Sequence, residues 1–489
     1  MQTGAIYMVQ IASAASFATV TGTATPGGAT VDANYAASGS ISRKSTILTA
    51  TNGITDKFGA LVNTNLPSVF TSFLSYDTND VYLNVTMGFT GPGFGSLNAN
   101  QRAVANASTN FFNAGGSVPM AFAMLTPAGL TQIAGEAATG SQQTTFDAMT
   151  QFMGLLTDPF IQRSGGTVAP GAVPGYADED GQASAYAARK RTDAFAMFTK
   201  APPTTFVPRW SVWAAGFGGS QSTDGNAAVG SNNTTSSIAG TAVGADYLFS
   251  PNTLAGFALA GGGTSFSVAN GGTGRSDLFQ AGAYLRHTNG PAYISAALAY
   301  GWQDITTDRV VTIAGVDRLH AEFNANAFSG RVEGGYRFVA PVVGGIGITP
   351  YAAAQFTTFD LPAYAEQATV GTNNFALAYG AKSVTDPRSE LGIRTDKSFA
   401  LQDSVLTLRG RLAWAHDYDP DRSIGATFQT LPGASFVVNG AAQASDSVLT
   451  TASIERKWTN NWSVAATFEG EFSSVTSSYA GKGVVRYAW

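Results

Sequence analysis

The chain has no cysteine among its 489 residues, only three histidines, and charged side chains at only 12% of positions. Without thiols it can form no disulfide, no thiolate nucleophile and no cysteine-bound metal site. Ordinary soluble domains carry about 25% charged residues. The low charge is therefore unusual for a soluble protein, although 44% of the residues are hydrophobic.

Long hydrophobic runs are also missing. We find no stretch of about 18 or more apolar residues, which excludes a membrane-spanning helix. The net charge of -5 argues against a nucleic acid partner. What is abundant is glycine (56), phenylalanine (31) and tyrosine (17), a composition that suits a surface alternating between lipid-facing and lumen-facing side chains.

The last ten residues, 480–489, have the period-two alternation of a β-strand and end on a bare aromatic residue. Tyr487 and Trp489 lie on the same face. Strand termini fray in soluble domains, whereas in an outer-membrane barrel the closing strand places such rings in the interfacial aromatic girdle. The alternative is an edge strand of a soluble sandwich.

Strand-length alternating segments follow one another from Arg209 to the end of the chain. Arg331 and Glu333 share one parity, while Val332 and Tyr336 share the other. Alternation of charge with apolar residues over many strands indicates two different solvents on the two faces of a sheet. The side chains predicted to face a barrel lumen are Asp246, Arg331, Glu333, Arg409, Arg411, Glu469, Glu471 and Arg486.

The connections between these segments are of two kinds. Short turns such as Ser250-Pro251-Asn252 alternate with longer polar connections such as residues 220–235, which is the asymmetry of an outer-membrane barrel. About 280 residues shared among about twelve strands leave enough length for tilted crossings of ~9–11 residues.

The first 204 residues have a different sequence pattern, without the long alternating segments. Residues 1–100 contain short strands separated by small turns, which fits the last rungs of a parallel β-helix or, alternatively, a soluble sandwich. Residues 131–156 have helical spacing. Residues 161–182 read as a flexible linker, and residues 183–200 form a basic, helix-prone segment containing Arg189, Lys190 and Arg191.

Several of these motifs resemble the translocator domain of classical monomeric autotransporters. They are Arg209-Trp210-Ser211-Val212-Trp213, Val243-Gly244-Ala245-Asp246-Tyr247, Arg275-Ser276-Asp277, the segment 331–338 and the Tyr-Ala-Trp terminus. The resemblance implies a twelve-stranded antiparallel outer-membrane β-barrel with an α-helix in its lumen, preceded by a short β-helix-like passenger remnant. The implied domains are a passenger end at 1–100, a helical linker at 101–204 with a pore-threading helix at 183–200, and a barrel at 205–489.

The function that the resemblance implies is export of the chain's own passenger and its anchoring at the cell surface. The alternative is an outer-membrane porin or adhesin barrel that secretes nothing. The implied partners are outer-membrane lipid, the passenger, and the barrel assembly machinery, which would read Tyr487 and Trp489 as an assembly signal. Some relatives cleave the passenger at an Asn-Asn pair inside the barrel, and residues 183–200 contain no such pair.

The sequence predicts no enzyme, cofactor or metal site. It has no Gly-x-Ser-x-Gly motif, and the histidines, His287, His320 and His416, are far apart. A secreted enzyme within residues 1–100 would have to be small and without a recognisable motif. The lumen charges either form an ion path or satisfy one another and hold the helix. Met1 to Gln10 lack the basic start of a signal peptide, so we expect a fragment, or a mis-started reading frame, of a longer precursor.

Overall fold

The computed structural model describes residues 1–91, 93–158, 209–340 and 345–489. Its first part begins with short strands that pair in parallel across one turn of chain, so that Ile6 lies beside Thr30 and Thr30 beside Ala60. Stacked rungs of a parallel β-helix pair in this way. The later strands of this part pair in antiparallel fashion, for example Phe70–Tyr76 with Asp80–Met87. The strands are β1 (Ile6–Ile11), β2 (Ala18–Val20), β3 (Thr30–Tyr35), β4 (Ser40–Ser42), β5 (Lys44–Ala50), β6 (Ala60–Thr64), β7 (Phe70–Tyr76), β8 (Asp80–Met87) and β9 (Ser117–Pro119).

Three α-helices and a 3₁₀ turn (Met120–Met124) follow β8. The helices are α1 (Ala99–Asn113), α2 (Pro127–Ile133) and α3 (Ala137–Leu156), and none of the described helices is long and apolar enough to cross a membrane. The expected single helix over residues 131–156 is wrong, because the structure divides it between α2 and α3. Gly135 has φ +75°, a left-handed conformation that ends a helix, so α3 starts anew after it.

The second part is a closed antiparallel barrel of twelve strands, as the sequence predicted. The barrel strands are β10 (Trp210–Thr223), β11 (Thr234–Ser250), β12 (Thr253–Val268), β13 (Gly272–Asn289), β14 (Ala292–Val311), β15 (Asp317–Tyr336), β17 (Ile346–Leu361), β21 (Lys382–Ala400), β22 (Ser404–Asp417), β25 (Asp446–Trp458), β26 (Trp462–Phe472) and β27 (Thr476–Ala488). β27 pairs with β10 along thirteen residue pairs, and β15 pairs with β17, which closes the sheet on itself.

The two ends of the barrel differ. At the end where β10 begins and β27 finishes, most connections are short, such as residues 251–252 between β11 and β12; we call it the turn end. The opposite end, the loop end, carries the long connections 362–381 and 418–445. This asymmetry is the predicted one.

Side chains alternate between the two faces of each strand. On β14, Leu298 is 67% exposed on the outer face, whereas its neighbours Ala297 and Ala299 are buried. Val332 and Phe328 of β15 also point outward, while Arg331 and Glu333 are buried inside. An apolar outer surface around a polar interior is the arrangement that lipid outside and water inside require.

The long connections at the loop end form a second, smaller sheet. Its four antiparallel strands, in the order β18-β20-β23-β24, come from two different connections and lie over the barrel mouth. The remaining strands are β16 (Phe338–Ala340), β18 (Tyr364–Ala365), β19 (Gln367–Val370), β20 (Leu377–Tyr379), β23 (Ser423–Phe428) and β24 (Ser435–Asn439).

Helix α3 lies inside the barrel. Most of its residues are buried on all sides of the helix, and it contacts strands from β11 to β17 and also β23. It starts at the loop end, where Glu136 bonds Asn232, and finishes beside Lys482 of β27, part-way down the lumen. The described chain resumes at Arg209, at the turn end.

Candidate functional site

The lumen wall of β15, β17 and β21 carries a cluster of buried charges around two carboxylates. Arg331 donates to both oxygens of Glu390 at 2.9 and 2.8 Å and to Glu333 at 3.0 Å. Glu333 also accepts hydrogen bonds from the Arg394 guanidinium and, at 2.7 Å, from the Tyr293 hydroxyl. A buried carboxylate remains ionised at low cost only when cations and donors surround it in this manner.

A second cluster lies on neighbouring strands closer to the loop end. Arg388 donates to Glu471 at 2.7 Å and lies 3.5 Å from Asp417, and the Ser447 hydroxyl donates to Glu471. Arg411 lies 4.0 Å from both Glu390 and Glu469, so it connects the first cluster to Glu469. Each of these charged side chains has a partner of opposite sign. The arrangement therefore favours side chains that hold one another in place over a path for ions.

The end of α3 is attached to the last barrel strand. Lys482 Nζ lies 2.8 Å from Asp158 Oδ2 and 3.1 Å from Glu469 Oε1, and it also donates to the carbonyl oxygen of Gly154. Its side chain is 8% exposed and that of Asp158 is 4% exposed. This ion pair connects the helix to the strand that closes the barrel.

Along its length, α3 meets the wall through polar, small and apolar groups. Gln303 donates to the Thr145 hydroxyl at 3.1 Å, and Asp147 accepts from Ser236 at 3.0 Å. Gly301 lies against Met149, so a β-carbon there would press on the sulfur. The helix also has a buried apolar stripe with helical spacing, formed by Phe146, Met149, Phe152, Met153 and Leu156.

At the loop end, Arg422 holds the first turns of α3. Its guanidinium donates to Asp386 at 2.7 Å and to Gln143 at 3.3 Å, and it lies 4.5 Å from the centre of the Phe146 ring. Just ahead of the helix, Glu136 accepts two hydrogen bonds from Asn232, and its burial raises the pKa of the carboxyl to about 7.

The lumen contains a cavity alongside α3 and beyond its end. In the part of the chain that the structure describes, this cavity of about 1170 Å³ is lined from Gln143 and Asp386 near the loop end to charged wall residues such as Arg286, Arg409 and Glu455. Arg409 and Glu455 pair at 3.8 Å. The charge on this wall makes the lumen a polar compartment throughout.

The eight residues predicted to face the lumen are all placed on the inner wall, but in separate groups. Arg331 and Glu333 belong to the first cluster and Glu471 to the second, while Arg411 and Glu469 lie between the first cluster and Lys482. Asp246 and Arg486 pair with each other at 2.7 Å, with the Ser211 hydroxyl on the same carboxylate, and Arg409 lies apart beside Glu455.

The predicted and the observed lumen residues differ in two ways. Arg189, Lys190 and Arg191, expected on the lumen helix, lie outside the described residues. Arg388, Glu390 and Arg394 were not predicted from the sequence, although their equal parity on β21 was a usable signal. Nor was α3 predicted to lie in the lumen, because no local pattern indicated that position.

The terminal aromatics line the outer face at the turn end. Trp489 exchanges two backbone hydrogen bonds with Trp210, at 3.0 and 3.1 Å, and its ring stacks on Tyr487 at 5.9 Å. Trp462 packs on the other side of Tyr487 at 5.0 Å. The girdle expected for Tyr487 and Trp489 has this composition.

The histidines are separate from one another and from the lumen. His287 bonds Thr253, while His320 and His416 each bond an aspartate on the adjacent strand. Among the described residues no group of three or more His, Asp or Glu side chains is placed to hold a metal ion.

Comparison with known proteins gives a family match. The family model described as the autotransporter beta-domain matches residues 212–469, which is more than half of the chain. An extracellular serine protease of Serratia marcescens is 27% identical over 201 residues, covering 41% of this chain and 18% of the protease. The chain therefore spans about a fifth of the length of the curated relatives it matches.

Solved structures with similar folds include two translocator barrels. The translocator domain of the autotransporter NalP from Neisseria meningitidis has a TM-score of 0.46 and 14% identity, covering 57% of this chain and 88% of that one. The beta domain of the Bordetella autotransporter BrkA has a TM-score of 0.44 and 18% identity, covering 57% of this chain and all of that one.

Proposed function

Because this chain belongs to the autotransporter family, we propose that its barrel carries residues 1–136 of the same chain to the cell surface and keeps them attached there. The barrel is an outer-membrane translocator domain, so the turn end faces the periplasm and the loop end faces the outside. In this proposal residues 1–91 are the exported passenger end, and α3 is the lumen helix that joins passenger to barrel.

The observation that carries the proposal is the path of the chain. The N-terminal strands and α1 lie beyond the loop end, α3 descends from that end into the lumen, and β10 begins at the turn end. A chain with this connectivity has its N-terminal part on one side of the membrane and its barrel start on the other. An export function explains how that arrangement arises.

A porin that secretes nothing is the competing function. A porin needs a continuous aqueous lumen. Here α3 is packed against the wall through Arg422, Lys482 and Gln303, which supports a translocator that keeps its transported chain inside. We also propose that the barrel works by transport and holds no catalytic site of its own.

A partner follows from the terminus. The barrel assembly machinery would recognise the terminal strand with Tyr487 and Trp489 as its exposed aromatic side chains. The support is that β27, the last strand of the sequence, pairs with β10, the first barrel strand, where the sheet closes, so the edge of β27 is unpaired until closure.

Surface labelling tests the proposed function. The chain is expressed in a Gram-negative host behind a signal peptide, with an epitope inserted after Ser38, in an exposed turn of the N-terminal strands. The matched control carries the same epitope after Asn460, in the turn between β25 and β26 at the turn end. On intact cells we expect antibody to bind the first protein and not the second. Labelling of neither, or only of the second, would contradict export to the loop end.

A further inference from the structure

We propose that the loop end of the barrel is a socket that holds the exported segment without help from the covalent connection, so that a cut within residues 159–208 leaves residues 1–158 attached to the barrel. This inference rests on the proposed direction of export and adds how the exported part is retained. The socket is the barrel surface formed by Gly230, Asn232, Arg309, Glu366, Phe375, Tyr379, Phe428 and Asn439. The docked segment is residues 98–136.

The first contact fixes the start of α1. The side chain of Asn100, 3% exposed, donates to the carbonyl oxygens of Asn439 at 2.8 Å and Gly230 at 3.2 Å. Its carbonyl oxygen accepts from the backbone and side-chain nitrogens of Asn439 at 3.0 and 3.1 Å. All the capacity of this buried amide is thus used on the socket, and truncation would leave the barrel groups unsatisfied.

The backbone of α1 adds to this contact. The amide nitrogens of Ala99 and Asn100 donate to the carbonyl oxygens of Ala228 and Val229, at 3.2 and 2.9 Å. The first amides of a helix have no partner within the helix. Here the connection between β10 and β11 supplies partners, so the helix start is completed by the barrel.

An aromatic anchor follows in the 3₁₀ turn. Phe122 is fully buried, and its ring centre lies 5.0 Å from that of Phe375 and 5.2 Å from that of Phe428. These two rings come from the two different long connections of the loop end. Buried aromatic anchors of this kind supply most of the binding energy of an interface.

The third contact is a hydrogen bond from a buried ion pair of the barrel to the backbone of α2. Arg309 forms two hydrogen bonds of 2.6 Å with Glu366 and donates at 3.0 Å to the carbonyl oxygen of Gln132, at the end of α2. Glu366 also accepts from the Tyr379 hydroxyl at 2.9 Å. The Arg309 guanidinium is held rigid by Glu366 before it meets the docked segment, which lowers the entropy cost of binding.

The last contact lies at the junction of α2 and α3. Gly135 packs against Leu377 and the Tyr379 hydroxyl so closely that a β-carbon would collide with both. Next to it, Glu136 binds the backbone and side-chain nitrogens of Asn232. Contacts from α1, the 3₁₀ turn, the end of α2 and the α2–α3 junction therefore converge on the barrel mouth, and all of them come from residues 98–136.

The test cuts the connection and asks whether the parts separate. Full-length protein receives a protease recognition sequence after Gly171 or, in a second version, after Gly181, and is purified in detergent by a tag on the barrel. Boiled gel samples show the extent of the cut, and column elution shows whether fragment 1–171 or 1–181 stays bound. We expect retention for the natural sequence, and release on cutting would overturn the proposal.

The socket itself is tested by a matched pair of double variants. Asn100→Ala with Phe122→Ala removes the amide and the aromatic anchor, whereas Asn110→Ala with Phe73→Ala truncates the same residue types at exposed positions. The fragment should leave the barrel at least about tenfold faster in the first pair than in the second, because truncated anchors act mainly on dissociation. Equal release rates would also overturn the proposal.

Two further measurements separate the possible failures. In the uncut protein, hydrogen exchange of amides 99–133 should be at least about tenfold faster in the first double variant and unchanged in the second. Heat-modifiable gel migration should show an intact barrel in both. Unchanged exchange in the first double variant would contradict the socket. Loss of surface labelling in the earlier epitope experiment would instead contradict export, since retention is measured on purified protein.

Discussion

Lys482 of the closing strand and Asp158 at the end of α3 form an ion pair of 2.8 Å inside the barrel. The lysine also holds Glu469 of the adjacent strand at 3.1 Å. One ammonium group thus connects the lumen helix to the last hairpin of the barrel. This ion pair forms only when β27 is paired in the barrel and α3 lies inside the lumen. Closure of the barrel and insertion of the helix therefore stabilise each other.

Lys482→Met should loosen α3 and lower the stability of the folded barrel. The substitution leaves the buried carboxylate of Asp158 and the half-buried carboxylate of Glu469 without their ammonium partner. Removing one member of a buried pair costs about 3–5 kcal/mol. We expect a lower temperature for the heat-modifiable gel shift and more frequent current steps in planar bilayers. Adding Asp158→Asn should recover part of the loss, because it removes one of the two buried charges. A double variant as unstable as the single one would contradict the pairing.

Gly135→Ala should destabilise the docked mouth more than Gly115→Ala. Both glycines have positive φ, +75° and +111°, so both substitutions carry the backbone strain of about 1 kcal/mol. Only at Gly135 would the new methyl also meet Leu377 and Tyr379, whereas Gly115 has open space around it. Overpacking adds about 1–3 kcal/mol. Urea-dependent hydrogen exchange of α2 should therefore change more in Gly135→Ala, and equal effects would show that the contact is soft.

The barrel was predictable from sequence because the alternation within each strand shows which residues face the lipid and which face the lumen. Arg331 and Glu333 alternate with Val332, and alternation needs only the period of a strand to be read. The place of α3 was not predictable in the same way. Its Gln142, Gln143 and Thr144 resemble the polar side of a surface helix, yet they are buried because the compartment around them is itself polar. A polar helix face is normally interpreted as the solvent side of a helix that packs on an apolar core. In a charged lumen the polar face is buried as well, so the pattern alone does not show where the helix lies.

The attachment of α3 at the mouth should weaken as the pH rises through the pKa of Glu136. Burial raises the pKa of this carboxyl from an ordinary value of 4.5 to about 7. The folded state therefore favours the protonated acid. This stability is fully present below pH 4.5 and is lost between pH 4.5 and about 7, by roughly 3 kcal/mol in total. Glu136→Gln cannot ionise, and its amide oxygen can still accept one of the two hydrogen bonds that Asn232 donates.

Hydrogen exchange at the mouth measures this effect. Amides of residues 126–140 should exchange faster, relative to the intrinsic rate, at pH 8 than at pH 5 in the natural sequence. In Glu136→Gln that difference should disappear. If the two proteins have the same pH dependence, other groups at the mouth are responsible.

Changing Trp489 to Ser should prevent assembly. The ring stacks on Tyr487 and the backbone closes the last two hydrogen bonds to Trp210, so the change removes a girdle anchor at the seam of the barrel. We expect periplasmic, protease-sensitive protein and little heat-modifiable barrel. As a control, Trp414→Ser alters an outward tryptophan near the other end of the wall and should leave assembly largely intact. Normal outer-membrane levels of the Trp489 variant would rule out the assembly signal.

Deleting α3 should open the pore. Twelve-stranded barrels are wider than the eight-stranded barrels whose interior side chains alone can fill, so the helix provides much of the obstruction at the loop end. We expect the purified protein lacking residues 137–156 to conduct several-fold more current in planar bilayers than the full chain. Deleting residues 183–200, the segment predicted from sequence to thread the pore, should raise conductance by less, because α3 would still fill the loop-end half of the lumen through Arg422 and Lys482. A low conductance that the first deletion leaves unchanged would mean that the docked segment at the mouth seals the barrel by itself. Combining that deletion with Asn100→Ala and Phe122→Ala should then release the seal.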